Sequence, residues 1–184
     1  MCDACDGPHR TDLCPIFKGK PRDNHKDATG GAPKGAIGSG SGGNFVLQQG
    51  RQVKMPPDGS CLFHSLCYGL GKGNAAALRK QIAGWIAANP KKEISGDQLK
   101  EWIEWDGGGS VASYTSKMGR SNGPWGGGIE MAACSVIYSV NIHVYERAQR
   151  GGYKRISCFD VPGASKTIHV LYTGSMHYDA LVPG

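Results

Sequence analysis

The apolar positions of this chain change period once along its length. Leu62, Phe63, Leu66, Cys67 and Leu70 recur at helical spacing, and Gly69 and Gly71 bracket the stop. A second helix is expected from Asn74 to Asn89. Asn74 is its N-cap, Leu78, Ile82, Trp85 and Ile86 form the apolar face, and Pro90 follows its end. Leu99, Trp102 and Ile103 mark a shorter helix from Asp97 to Trp105. Ile129, Ala132, Ala133, Val136, Ile137 and Val140 mark a further helix, with Asn141 placed to close it in the left-handed region. The period then falls to two. Ile142 to Glu146, Tyr153 to Phe159, Thr167 to Tyr172 and Tyr178 to Val182 read as strands joined by turns. Upstream, Phe45 to Lys54 reads as a strand that ends before Pro56-Pro57. Helices early and strands late predict an α+β, mixed α/β fold class.

Composition divides the chain into three zones. Residues 1–27 hold three of the seven cysteines, two histidines and mixed charge. Residues 28–43 are rich in Gly and Ser and read as a flexible linker that needs no fixed structure. Residues 44–184 carry nearly all the aromatic and branched apolar side chains, so the core is expected there. Net charge is +6 over 184 residues, which invites a nucleic-acid reading until the charge is located. Residues 1–43 contribute only +1 and residues 44–184 contribute +5, so the excess is spread over the globular part. No apolar run reaches the roughly 20 residues of a membrane span, and no secretory signal is visible. The expectation is a monomer away from membranes, in the cytoplasm, the nucleus, or a host cytosol if a pathogen makes it. The odd cysteine count argues against a closed disulfide framework and for reduced thiols.

One cysteine has the setting of a nucleophile. In Asp58-Gly59-Ser60-Cys61-Leu62-Phe63-His64, a glycine bend precedes a helix start. Ser60 is placed as N-cap, which puts Cys61 in the first turn. Free N–H groups and the helix dipole there favour a thiolate and point at a developing oxyanion. Near the other end the chain reads Met176-His177-Tyr178-Asp179-Ala180-Leu181. On a strand His177 and Asp179 share a face, the arrangement in which a carboxylate orients an imidazole. A lone cysteine at a helix start, or a lone His-x-Asp, is more often structural. Cys67, Cys134 and Cys158 read as small core residues.

Three blocks in order resemble the OTU (ovarian tumour) family of cysteine proteases. They are Asp58-Gly59-Ser60-Cys61-Leu62-Phe63-His64, Trp125-Gly126-Gly127-Gly128-Ile129-Glu130-Met131 with the strand after it, and His177-Tyr178-Asp179-Ala180-Leu181. The resemblance covers about Lys54 to Val182. It implies a papain-like fold and hydrolysis after the C-terminal glycine of ubiquitin or a ubiquitin-like modifier, by a thioester acyl-enzyme and without a catalytic cofactor. Carried over by position, it makes Cys61 the nucleophile, His177 the general base and Asp179 the third member. It places Asp58, with the backbone of Gly59 and Cys61, at the oxyanion hole. Trp125, Gly126 and Gly127 fall where substrate binds. The loop from Gly119 to Gly128, with five glycines, is richer in glycine than the family pattern.

Cys2, Cys5, His9 and Cys14 offer three thiolates and one imidazole, a set that suits structural tetrahedral zinc. The spacing resembles a CCHC zinc knuckle with one residue missing between the second Cys and the His. A tail with reactive cysteines is the competing reading. A zinc-bound segment would dock nucleic acid or a protein, and acidic Asp3, Asp6 and Asp12 weigh against nucleic acid. The function alternative to a deubiquitinase is therefore a zinc-knuckle binding module with an inactive or accessory OTU-like domain.

Overall fold

A computed structural model describes the backbone of residues 38–41 and residues 45–106, 109–174 and 177–184. The order begins with β1 (Gly38–Ser41), β2 (Val46–Leu47) and β3 (Gly50–Val53). Helices α1 (Cys61–Leu70) and α2 (Ala75–Ala88) follow, then the short pair β4 (Glu93–Ile94) and β5 (Asp97–Gln98). Helices α3 (Leu99–Trp105), α4 (Val111–Met118) and α5 (Gly128–Tyr138) lead into β6 (Asn141–Arg147), β7 (Tyr153–Asp160), β8 (Thr167–Tyr172) and β9 (Tyr178–Pro183). The mixed helix-and-sheet class expected from the pattern is observed.

The main sheet has the order β1-β7-β6-β8-β9-β3, with β2 also against β7. Only β6 and β8 run parallel among these pairs. Helices cover one face. Leu62, Phe63 and Leu66 of α1, Ile82 and Ile86 of α2, and Ala132 and Ala133 of α5 meet Ile142, Val144, Ile168 and Val170 of the sheet. The opposite face carries a smaller cluster of Tyr145, Tyr153, Leu171 and Leu181, with Leu47 packed on it. Strands β6, β7 and β8 serve both clusters because successive side chains alternate between faces. Helix α1 lies close on β8: a Cβ on Gly69 would fall 2.3 Å from Ile168. That contact fixes the axis on which Cys61 is carried.

Several expected elements differ in detail. The strand expected over Phe45 to Lys54 is divided, because β2 pairs with β7 and β3 with β9. Gln48 and Gln49 carry the chain between these two strands. Gly38–Ser41 belongs to the stretch expected to be flexible linker, yet it pairs antiparallel with Ser157 to Asp160. Sheet pairing uses backbone N–H and C=O groups, so a Gly/Ser segment can complete an edge. Ser139, at φ 52°, closes α5 in the left-handed region, and Asn141 is instead the first residue of β6. Helix α4 had no clear periodic signal. The segment 1–27, residues 28–37, and with them Cys2, Cys5, His9 and Cys14, lie outside the described residues.

Candidate active site

The site is built where the first turn of α1 meets the start of β9. Gly59 has φ +82°, a conformation that favours glycine, and turns the chain into the helix. Ser60 occupies the N-cap position, but its side chain makes no cap bond. Its Oγ accepts from Arg79 Nε at 3.0 Å instead. Cys61 is the first residue of α1 and is 4% exposed. The Tyr178 N–H donates to Cys61 Sγ at 3.4 Å, which places the sulfur beside the residue that follows His177. The sulfur thus sits in the first turn of α1 with a backbone donor aimed at it.

His177 Nε2 lies 2.9 Å from Asp179 Oδ1. The shared face expected from a strand spacing of two is therefore realised, although β9 itself begins one residue after the histidine. Asp179 is buried and well held. Its Oδ1 also accepts from Met55 N–H at 2.7 Å, and its Oδ2 accepts from Gln52 Nε2 at 2.6 Å. Burial pushes this carboxyl up, but the bonds from Met55, Gln52 and His177 outweigh it and hold it below the ordinary carboxylate range.

Asp58 is engaged within its own loop. Its Oδ1 accepts from Ser60 N–H at 2.9 Å and its Oδ2 lies 2.8 Å from His64 Nε2. The His64 bond, then the Ser60 bond, lower its pKa. Asp58 thus shapes the elbow on whose backbone the expected oxyanion donors sit. Trp125 joins the same place: its indole Nε1 is 3.6 Å from where a Cβ on Gly59 would stand, and its side chain is 53% exposed. Gly126 lies against Leu62 and Phe63 of α1. Gly127 donates its N–H to Glu130 Oε2 at 2.7 Å, which anchors the glycine loop to α5. The sequence motifs around Cys61, Trp125 and His177 are thereby brought to one corner of the fold.

Two supporting residues escaped the sequence reading. Arg79 is wholly buried. Its guanidinium donates to Gly59 O at 2.8 Å, Met118 O at 3.0 Å and Gly123 O at 3.4 Å, besides Ser60 Oγ. It also lies over the Phe63 ring at 4.4 Å. One cation therefore ties the elbow to the loop that leads to Trp125. Its position next to Leu78 and three before Ile82, on the apolar face of α2, was the available signal. Glu130 is buried too, and Tyr114 Oη donates to its Oε1. Burial pushes Glu130 up to about 7, against the opposing bonds from Tyr114 and Gly127. The readable signal was a glutamate three residues after the N-cap position, Gly127.

The expected core cysteines separate. Cys134 is fully buried, and burial pushes its thiol up to about 12. Cys67 and Cys158 are half-buried. Among the described residues no cluster of His, Cys, Asp or Glu is arranged to hold a metal. Also among them, no helix is long and apolar enough to cross a membrane.

Cys61 at a helix start, joined through the Tyr178 N–H to the segment that carries the His177–Asp179 pair, makes this corner the candidate site. The family model described as OTU-like cysteine protease matches residues 56–179, and the chain belongs to that family. It is 29% identical over 164 residues to the OVARIAN TUMOR DOMAIN-containing deubiquitinating enzyme 4 of Arabidopsis thaliana. That alignment covers 85% of this chain and 51% of the relative, so the chain spans about half the length of the relative it matches. Among solved structures, the Hazara virus OTU bound to ubiquitin superposes with a TM-score of 0.62 at 19% identity, covering 83% of this chain and 93% of that one. The viral OTU domain protease from Dera Ghazi Khan virus gives 0.61 at 19% identity, covering 85% and 96%. These likenesses establish the fold.

Proposed function

We propose that this protein is a deubiquitinase that hydrolyses isopeptide bonds after the C-terminal glycine of ubiquitin or a ubiquitin-like modifier. The observation that carries the reading is the His177–Asp179 contact on the segment whose Tyr178 N–H donates to Cys61 Sγ at the start of α1. Family membership, and solved OTU domains in complex with ubiquitin, support the substrate class.

Asp179 engages His177 Nε2, so Nδ1 is the nitrogen assigned to the thiol. His177 takes the Cys61 proton, and the thiolate attacks the scissile glycine carbonyl. The C=O electron pair moves onto oxygen, where the backbone N–H groups around Asp58, Gly59 and Cys61 receive the charge. The tetrahedral adduct collapses, and the imidazolium gives its proton to the departing lysine amine. A Cys61–glycine thioester remains. Water, deprotonated by His177, attacks the thioester. The ubiquitin carboxylate leaves and the thiol is restored. Asp179 keeps the ring in one tautomer and stabilises the imidazolium. Exposed Trp125, with Gly126 and Gly127, lines the approach for a narrow Gly-Gly tail.

No cofactor enters this chemistry. Cys2, Cys5, His9 and Cys14 are assigned as ligands of a structural zinc in a segment that docks a second partner, a protein or a nucleic acid. The competing reading, a zinc-knuckle module on an inactive domain, has no observation in its favour. Incubation with ubiquitin dimers tests the proposal: the intact chain should release monoubiquitin and Cys61→Ala should not. Equal cleavage by both, or by neither, would overturn it.

A further inference from the structure

Asp179 is held on its two oxygens by different groups, and among the described residues Gln52 alone donates to one of them. Oδ1 is shared by Met55 N–H at 2.7 Å and His177 Nε2 at 2.9 Å. Oδ2 receives Gln52 Nε2 at 2.6 Å. Gln52 stands opposite Leu181 in the β3–β9 register, and Leu181 and Asp179 share a face of β9, so the amide reaches diagonally to the carboxylate. The amide also has a fixed polarity. Arg147 Nη2 donates to its Oε1, which turns its NH₂ towards Asp179. Arg147 is itself steadied over the Tyr153 ring, 5.5 Å from its centroid. β6 thus orients a side chain on β3, which orients a carboxylate on β9.

We propose that Gln52 is a positioning residue for the reaction: by donating to Asp179 Oδ2 it fixes the rotation of the carboxylate and reserves Oδ1 for His177. The inference rests on the assignment of His177 and Asp179 made above. A carboxylate bound only by Met55 and His177 would be free to pivot about Oδ1, and the imidazole would lose its fixed plane. The groups that face the carboxylate are His177 from the β9 side, and Gln52 and the Met55 N–H from the β3 side. Arg147 acts on it through Gln52.

The test compares two variants of the full chain. Gln52→Ala removes the donor. Gln52→Glu keeps the size and the acceptor for Arg147 but replaces the donor with a carboxylate against Asp179. A purely structural Gln52 that joins β3 to β9 would tolerate the isosteric change. With a fluorogenic ubiquitin C-terminal amide, Gln52→Ala should lower kcat roughly tenfold with KM within about twofold. In Gln52→Glu the added negative charge should stabilise the His177 imidazolium. Its titration, followed by NMR at the ring Cε1–H, should move up by about half a pH unit or more. Both kcat values within about twofold of the parent, together with an unmoved His177 titration, would overturn the role of Gln52. The NMR readout needs no substrate. A shifted titration in a protein whose parent does not hydrolyse the ubiquitin amide would therefore overturn the substrate reading and leave the Gln52 assignment standing.

Discussion

Arg79 offers the sharpest test of how the active-site corner is held. Replacing it with Met keeps the aliphatic stem and the cover over Phe63 but removes every donor. Three acceptors within 3.0 Å lose their partner: Gly59 O, Ser60 Oγ and Met118 O. Bonds to a charged donor contribute about 1.5–3 kcal/mol each, so the gross loss is roughly 5–9 kcal/mol. Relief of the buried cation's desolvation, several kcal/mol, offsets part of it. The net expectation is a loss of about 3–4 kcal/mol, or roughly 6–16 °C in Tm for a chain of this size. Urea unfolding followed by tryptophan fluorescence reads the first figure, and a thermal melt reads the second. Two of the lost bonds hold the residues just before Cys61, so kcat should also fall at temperatures where both proteins are folded. Arg79→Lys should lie between, because one ammonium cannot satisfy acceptors spread around a planar fork. A loss below about 1 kcal/mol with unchanged kcat would refute the view that this cation organises the elbow.

Three other expectations follow from the same corner. Glu130 has a folded pKa raised to about 7, so it binds its proton more tightly folded than unfolded. Its contribution is full below its ordinary value of 4.5 and is lost as pH rises to about 7; Glu130→Gln should remove a decline of about 3 kcal/mol across that window, read by urea midpoints against pH. Asp179→Ala leaves His177 as a misoriented base, so kcat should fall about 10²–10³-fold, far less than for Cys61→Ala, as measured with the fluorogenic ubiquitin amide. A chain beginning at Gly38, which keeps β1, should cleave ubiquitin dimers at close to the full-length rate. Chelators should leave that rate unchanged in reductant, because a closed zinc site has no open position for the reaction.

The local signals were strong where one side chain decides one feature. Asn74 caps α2 through Ala77 N–H as its type foretold, and Gly59 takes the positive φ that its place before Cys61 required. The spacing of two between His177 and Asp179 was enough to place them on one face. What the chain hid was decided by tertiary partners. Val111–Met118 is helical despite Val, Ser and Thr in its eight residues, because Ser110 caps it and Tyr114, Thr115 and Met118 are buried. The split between β2 and β3 follows from two different partner strands, which no local pattern encodes. Gln52 looked like an ordinary polar strand residue, and its role depends on Asp179, 127 residues away. Arg79 went unnoticed too, although a charge on an apolar helix face asks for buried acceptors.

The most direct test of the central claim is reaction of the intact protein with ubiquitin bearing a C-terminal electrophile, followed by mass spectrometry of the adduct. The account expects one added ubiquitin, bonded through Cys61, and no adduct from Cys61→Ala. Failure of the intact protein to react, or attachment at Cys67, Cys134 or Cys158 with Cys61 left free, would contradict it.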